Sequence, residues 1–308
     1  MNQTLLTKFS PYYPRENRIN PHVKILDTST NAWIKGYHCL SEQVKQKVKN
    51  ANYGILTAQI FPDTACNILL PIARWMLWAF VYDDLYGPFP KDELDLVCKK
   101  CLSILQGSRP LKGDNVFFRE LADIRDELTP ISTPEWMERF TASHRHYFEG
   151  LMLDEFSYKQ DISYPSSEQY LFIRERLIGG NMVCDLLELV DGILPLELLL
   201  HPYIQRLRQL AGRLMIYDND LFSYKKELQE KEAMNLVLIL ASERKISMDQ
   251  AIQEVFEIRR SDFDELLSYE EAIPEFGSYN NLVRNYLRNV LILLQGQLEW
   301  YLHQSLRY

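Results

Sequence analysis

Apolar residues three and four positions apart dominate 65-ACNILLPIARWMLWAFVYDD-84, 93-ELDLVCKKCLSILQG-107 and 282-LVRNYLRNVLILLQGQLEWYLHQSL-306. That is the period of an α-helix, and it conflicts with the two-residue alternation of a half-buried strand. Pieces with strand-like composition, such as 192-GILPL-196, are short and are not repeated with hairpin turns. Segments such as 107-GSRPLKGDN-115, 130-PISTPE-135 and 161-DISYPSSE-168 read as connections, with Ser166 or Ser167 able to cap the helix that follows. Pro71 lies in the first turn of the Cys66–Tyr82 run or kinks it. No repeat or linker-like composition shift divides residues 1–308, so the expectation is one all-α domain of ten or more helices.

Composition narrows the function classes. An apolar fraction of 46% supports a large core, while a net charge of −8 argues against a general nucleic-acid binder. A phosphate-bearing substrate stays open, because divalent metals can supply positive charge locally. The first residues, MNQTLLTKFSPYYPREN, lack an apolar signal region, and the longest apolar run, Leu236 to Ala241, is too short to span a bilayer. Five scattered cysteines point to a reducing, cytoplasmic location without a disulfide framework.

Two stretches carry oxygen donors. In 80-FVYDDLYGPFP-90, Asp83 and Asp84 end an aromatic-rich run, with Gly87 and Pro88 where a third acid could follow. In 217-YDNDLFSYKKELQEKE-232, Asn219, Ser223 and Glu227 stand four residues apart, so they line one stripe of one helix. Amide, hydroxyl and carboxylate oxygens are hard donors suited to Mg2+, whereas a solvated polar face is the alternative for such a triplet taken alone. The 98-CKKC-101 pair has no second cysteine pair to complete a metal site, and the imidazoles of 144-HRH-146 diverge on a helix; both read as structural.

The combination resembles the bacterial class I terpene synthases. The series 219-NDLFSYKKE-227 matches that family's (N/D)Dxx(S/T)xx(K/R)(D/E) pattern at each defined position, and Asp83–Asp84 resembles its aspartate-rich motif. Similar too are 20-NPHVKILDTSTNAWIKGY-37, 61-FPDTACNILLPIARWMLWAFVYDD-84, 165-PSSEQYLFIRERLIGG-180, 235-NLVLIL-240 and 296-GQLEWYLHQSLRY-308, so the likeness covers nearly the whole chain.

The resemblance implies a helical-barrel terpenoid synthase fold and three Mg2+ ions held by Asp83, Asp84, Asn219, Ser223 and Glu227, with Asp83 the direct ligand of its pair and Asp84 orienting a basic partner or a metal-bound water. It implies diphosphate binding by Arg174, Lys226, Arg307 and Tyr308, and a helix break around Ile178, Gly179 and Gly180 that turns a carbonyl toward the cavity. The substrate would be farnesyl or geranylgeranyl diphosphate, cyclised through a carbocation, in an enzyme whose relatives are often homodimers. Aromatic faces stabilise such a cation without attacking it; Phe80 and Trp300, then Trp75 and Phe61, are the candidate lining. The rivals are a chain-elongating prenyltransferase, which carries two aspartate-rich motifs, and a helical binding protein without turnover.

Overall fold

In the computed structural model, which describes residues 17–86, 89–154 and 164–305, the chain runs through helices and connections. In order they are α1 (Val23–Gly36), α2 (Glu42–Asn50), α3 (Tyr53–Ile60), α4 (Cys66–Tyr86), α5 (Lys91–Leu105), α6 (Val116–Leu128) and α7 (Pro134–Asp154). There follow α8 (Ser167–Leu177), α9 (Gly180–Asp191), the short α10 (Leu196–Leu199), α11 (Pro202–Glu230), α12 (Leu236–Arg244), α13 (Met248–Glu271) and α14 (Asn280–Glu299). One π-helical turn, Trp300–Gln304, extends α14. No strand occurs among the described residues, and 192-GILPL-196 is the connection into α10, opened by Gly192 at φ 133°.

Side-chain caps explain many of the starts. Ser41, Asn115, Ser166, Asn235 and Ser247 each accept a hydrogen bond from a backbone N–H of the first turn they precede. Ser166 and Ser247 form full capping boxes with Gln169 and Gln250, satisfying two otherwise orphaned donors at each end. Pro71 sits inside α4 beyond its first turn.

Helix α4 explains how the interior is organised. It is apolar nearly all round, with Leu69, Ile72, Trp75, Leu77, Trp78, Val81 and Tyr82 buried, as a helix covered on more than one side must be. Trp75, Met76, Ala79, Phe80 and Asp83 line an internal cavity, while Trp78 also stacks on Phe117 of α6. The cavity is enclosed by α3, α4, α7, α8, α9, α11 and the end of α14. Outside this ring, α1 packs on α3, α6 on α4, and α13 on α11.

Two contacts fix the frame. At Gly296 of α14, a Cβ would lie 2.5 Å from the Gln59 carbonyl oxygen of α3, so only glycine permits this crossing. Asn20 is buried and donates from Nδ2 to the carbonyls of Phe61 and Thr64, both at 2.8 Å, while its Oδ1 accepts from His22 N–H at 2.9 Å. The Asn-Pro-His segment thereby clamps the corner between α3 and α4.

Candidate active site

The cavity has a volume of about 210 Å³, and its polarity changes along the helices that wall it. On α4 the lining passes from Trp75 through Phe80 to Asp83, eight residues or about 12 Å of helix. On α11 it passes from Met215 to Asn219, Lys226 and Glu227. One pole is therefore aromatic and aliphatic; the other collects carboxylates, an amide and cations.

Arg174, from the last turn of α8, joins the polar pole. Its Nη2 donates to Oδ1 of Asn219 at 2.5 Å and to Oδ1 of Asp220 at 3.0 Å. Asp220 is fully buried, with Oδ2 accepting from Tyr170 Oη–H and from Leu236 N–H. The guanidinium Nε is buried and has no hydrogen-bond partner among the described residues. A buried donor left without such a partner is costly.

Ser223 is fully buried between Asn219 and Glu227 on the α11 stripe. Asn235, the cap of α12, donates from Nδ2 to Oε2 of Glu227 at 2.7 Å and to the Asp220 carbonyl at 3.0 Å. Burial pushes the Glu227 carboxyl up to about 7, against the opposing pull of Arg174. Lys226 lines the cavity and pairs with Glu230 at 3.3 Å. Asn219 also donates from Nδ2 to Tyr301 Oη at 2.8 Å, and the Tyr301 ring stacks on Phe222.

The two adjacent aspartates part company. Asp83 lines the cavity, whereas the Asp84 carboxylate accepts from Nζ of Lys47 on α2 at 2.8 Å and is not among the cavity residues. One hundred degrees of helical rotation separates neighbours, so a side chain next to a cavity-facing one points toward the adjoining helix. In this arrangement Asp84 has a basic partner on the neighbouring helix α2. Gly87, Pro88, Arg307 and Tyr308 lie outside the described residues.

The break after α8 is present. Ile178 donates its N–H to the Arg174 carbonyl, Gly179 adopts φ 71°, and α9 begins at Gly180. Ile178 and Gly179 both line the cavity. A left-handed residue there is inexpensive only for glycine.

Phe80 stacks on Tyr53 with centroids 4.2 Å apart, and Trp300 is anchored by its Nε1–H on the Ala51 carbonyl at 2.6 Å. Phe61 departs from expectation: it is buried at the C-terminus of α3 and does not line this cavity. Its carbonyl is held by Asn20, and its side chain borders a separate small void with Leu187 and Val190.

Which residues could hold a metal follows from donor chemistry. Among the described residues, no three His, Cys, Asp or Glu side chains cluster in ligating geometry. Asn219, Ser223 and Glu227 offer a mixed set of hard oxygens on one stripe, opposite in type to a zinc or copper site and suited to Mg2+.

Comparison with known proteins decides the family. The family model described as terpene synthase family 2, C-terminal metal binding, matches residues 74–265, well over half the chain. The chain belongs to the terpene synthase family. That span carries Trp75, Asp83, Arg174, Asn219, Ser223 and Glu227. This terpene synthase is 27% identical over 295 residues to (+)-T-muurolol synthase ((2E,6E)-farnesyl diphosphate cyclizing) of Roseiflexus castenholzii, covering 94% of this chain and 90% of that one. It is 24% identical to germacrene A synthase of Nostoc punctiforme, covering 100% and 96%. Among solved structures, germacradien-4-ol synthase from Streptomyces citricolor superposes with a TM-score of 0.79 at 21% identity, covering 94% of this chain and 97% of that one. The fold is thus the all-α fold of class I terpene synthases.

Several residues of the terpene synthase cavity escaped the sequence reading. Tyr301 lies in a segment whose likeness to the family was visible, as does Asn235, which is buried behind the cavity and holds Glu227, but their partners are set by how the helices pack. His144 and Tyr147 reach the cavity from α7. Only the spacing Phe140, His144, Tyr147, Phe148, a helical stripe, could have pointed to them. The cysteines are free, and Cys98 and Cys101 are buried, as a structural reading of that pair expects.

Proposed function

We propose that this chain is a divalent-metal-dependent cyclase that ionises farnesyl diphosphate and closes the carbocation to a sesquiterpene. The observation that carries this reading is the single cavity with an aromatic pole at Trp75, Phe80 and Trp300 and a charged pole at Asp83, Arg174, Asn219 and Glu227. Relatives whose names specify cyclisation of (2E,6E)-farnesyl diphosphate support the substrate length.

Asp83, Asn219, Ser223 and Glu227 would hold Mg2+, three ions by analogy with the family, which when bound supplies charge to neutralise the leaving diphosphate. Arg174 contributes a guanidinium on the cavity wall, fixed by Asp220, and Lys226 adds a second cation. Asp84 acts at one remove, fixing the end of α4 through Lys47. The apolar pole excludes water, which would otherwise capture the cation, and its rings stabilise positive charge by about 0.5–2 kcal/mol each.

The test is product analysis by gas chromatography and mass spectrometry, with geranyl, farnesyl and geranylgeranyl diphosphates offered separately with Mg2+. A cyclic hydrocarbon or alcohol from farnesyl diphosphate is expected. Turnover only of geranylgeranyl diphosphate would reassign the chain length, and no product from any of the three would overturn the reading.

A further inference from the structure

Three tryptophans line the cavity, and their indole N–H groups end differently. Trp78 donates to the Phe117 carbonyl at 3.1 Å and Trp300 to the Ala51 carbonyl at 2.6 Å. Trp75 instead donates to a side chain that also lines the cavity, Nε2 of His144, at 3.0 Å. The other imidazole nitrogen, Nδ1, stands 2.8 Å from the Phe140 carbonyl one turn earlier. A carbonyl oxygen only accepts, so Nδ1 carries the ring proton and Nε2 carries the lone pair. The indole, a donor only, fits that lone pair and no other tautomer.

His144 is the kind of group a carbocation cavity should not contain. Its lone pair is more basic than any aromatic face, and a carbocation loses a proton from the adjacent carbon to whatever lone pair it meets. Burial holds this imidazole down at about 4, so it is neutral at ordinary pH and its nitrogen is not already protonated. Edge-on contacts with Trp75 and Phe140, centroids 5.7 and 4.5 Å away, pack the ring in place.

We propose that Trp75 and His144 mask each other: the indole N–H occupies the one imidazole lone pair on the cavity wall, so the carbocation meets no free imidazole nitrogen while it cyclises. This rests on the cyclase reading above. Unmasked, Nε2 could act in two ways. It could take a proton from the carbon next to the cationic centre, whose C–H electron pair becomes a new double bond, giving an early olefin and an imidazolium. Or its lone pair could form an N–C bond to the cation, with the Nδ1 proton passing to the released diphosphate, leaving His144 alkylated. Trp75 is accordingly a positioning residue for His144 as well as a wall of the cavity.

The experiment compares wild type, Trp75→Phe and the double variant Trp75→Phe/His144→Phe with farnesyl diphosphate and Mg2+, reading product ratios and intact protein mass. Trp75→Phe is expected to raise the share of acyclic and singly cyclised olefins several-fold, or to gain the mass of one farnesyl unit on the peptide carrying His144. The double variant is expected to lose both effects, a rescue that a purely structural role for Trp75 would not produce. An active wild type with Trp75→Phe giving unchanged ratios and no adduct overturns the masking, as does a double variant that behaves like the single one. A wild type without product from any prenyl diphosphate overturns the cyclase reading instead. Should Trp75→Phe not fold, nitrogen NMR of the wild type decides: a through-hydrogen-bond coupling between Trp75 Nε1 and His144 Nε2 is expected, and an imidazole protonated at Nε2 overturns the proposal.

Discussion

Nη2 of Arg174 bridges Oδ1 of Asn219 and Oδ1 of Asp220, so two consecutive residues of α11 share one guanidinium nitrogen. The two bonds have different standing. Asp220 is buried behind the cavity with Tyr170 and the N-terminus of α12, whereas Asn219 lines the cavity and offers a candidate ligand oxygen. Asp220 is the tether of Arg174, and the Asn219 bond is the one a metal would exchange.

Removing the guanidinium therefore has a structural as well as a chemical effect. Arg174→Ala leaves Asp220 buried and unpaired, and breaking a buried pair costs about 3–5 kcal/mol. A large drop in the urea midpoint is expected together with loss of product. The double variant Arg174→Ala/Asp220→Asn should recover much of the stability and none of the activity.

Asn219→Ala and Glu227→Ala should lower turnover at least about 100-fold, the upper end of what losing a group that merely orients a metal ligand costs, with the circular dichroism spectrum unchanged. Chelation should abolish wild-type product formation, and Mg2+ should restore it. Unaltered turnover in either variant would remove the α11 stripe from the chemistry.

The acids near the end of α4 should rank by direction and not by proximity in sequence. Asp83→Asn is expected to abolish activity. Asp84→Asn releases a half-exposed Lys47 from a nearly buried carboxylate and should lower stability, with partial loss of rate. Asp92→Asn and Glu93→Gln, in the first turn of α5, should change turnover less than either. Relative rates at saturating substrate decide the order.

His144 gives stability a pH dependence of known sign. Its imidazole ordinarily titrates near 6.5 and is held down at about 4 in the fold. Below pH 6.5 the unfolded chain gains a proton that the folded chain refuses, so stability falls as pH drops from about 6.5 toward 4. Between pH 7.5 and 5 this group should account for about 2 kcal/mol. Chemical denaturation of wild type and His144→Gln at both pH values checks it, since the variant should lack that share of the decline.

Gly296→Ala should be disproportionately damaging for one added methyl. Its Cβ meets backbone, which cannot rotate away, so α14 must shift from α3. A loss of about 1–3 kcal/mol is expected from overpacking, and Gln297 and Trp300 move with the helix, altering the product ratio. Thermal denaturation and product analysis read the two effects.

What could be foreseen divides along a physical line. Helical rise and rotation put Asn219, Ser223 and Glu227 on one stripe, and the match to the family's pattern, more than the spacing, made them candidates. Arg174 and the Gly179 break were legible through a segment whose pattern is specific. Asp84 separated from Asp83 because Lys47 lies on α2, 37 residues away, and such pairings are set by how helices dock. Phe61 failed as a cavity residue for a similar reason: Asn20 holds its backbone at a corner facing another void. His144 reads from sequence only as structural, and it is buried; its contact with Trp75 gives it a chemical setting that no local pattern could disclose.

The clamp made by Asn20 also bears on how the chain can be shortened. Its amide satisfies two backbone carbonyls that would otherwise be buried and bare, and it does so from ahead of α1. A truncated version starting at Val23 would keep every helix described here and still lose the hinge pin between α3 and α4, and with it the setting of Phe80 and Asp83. For expression or crystallisation, the useful fragment begins ahead of Asn20.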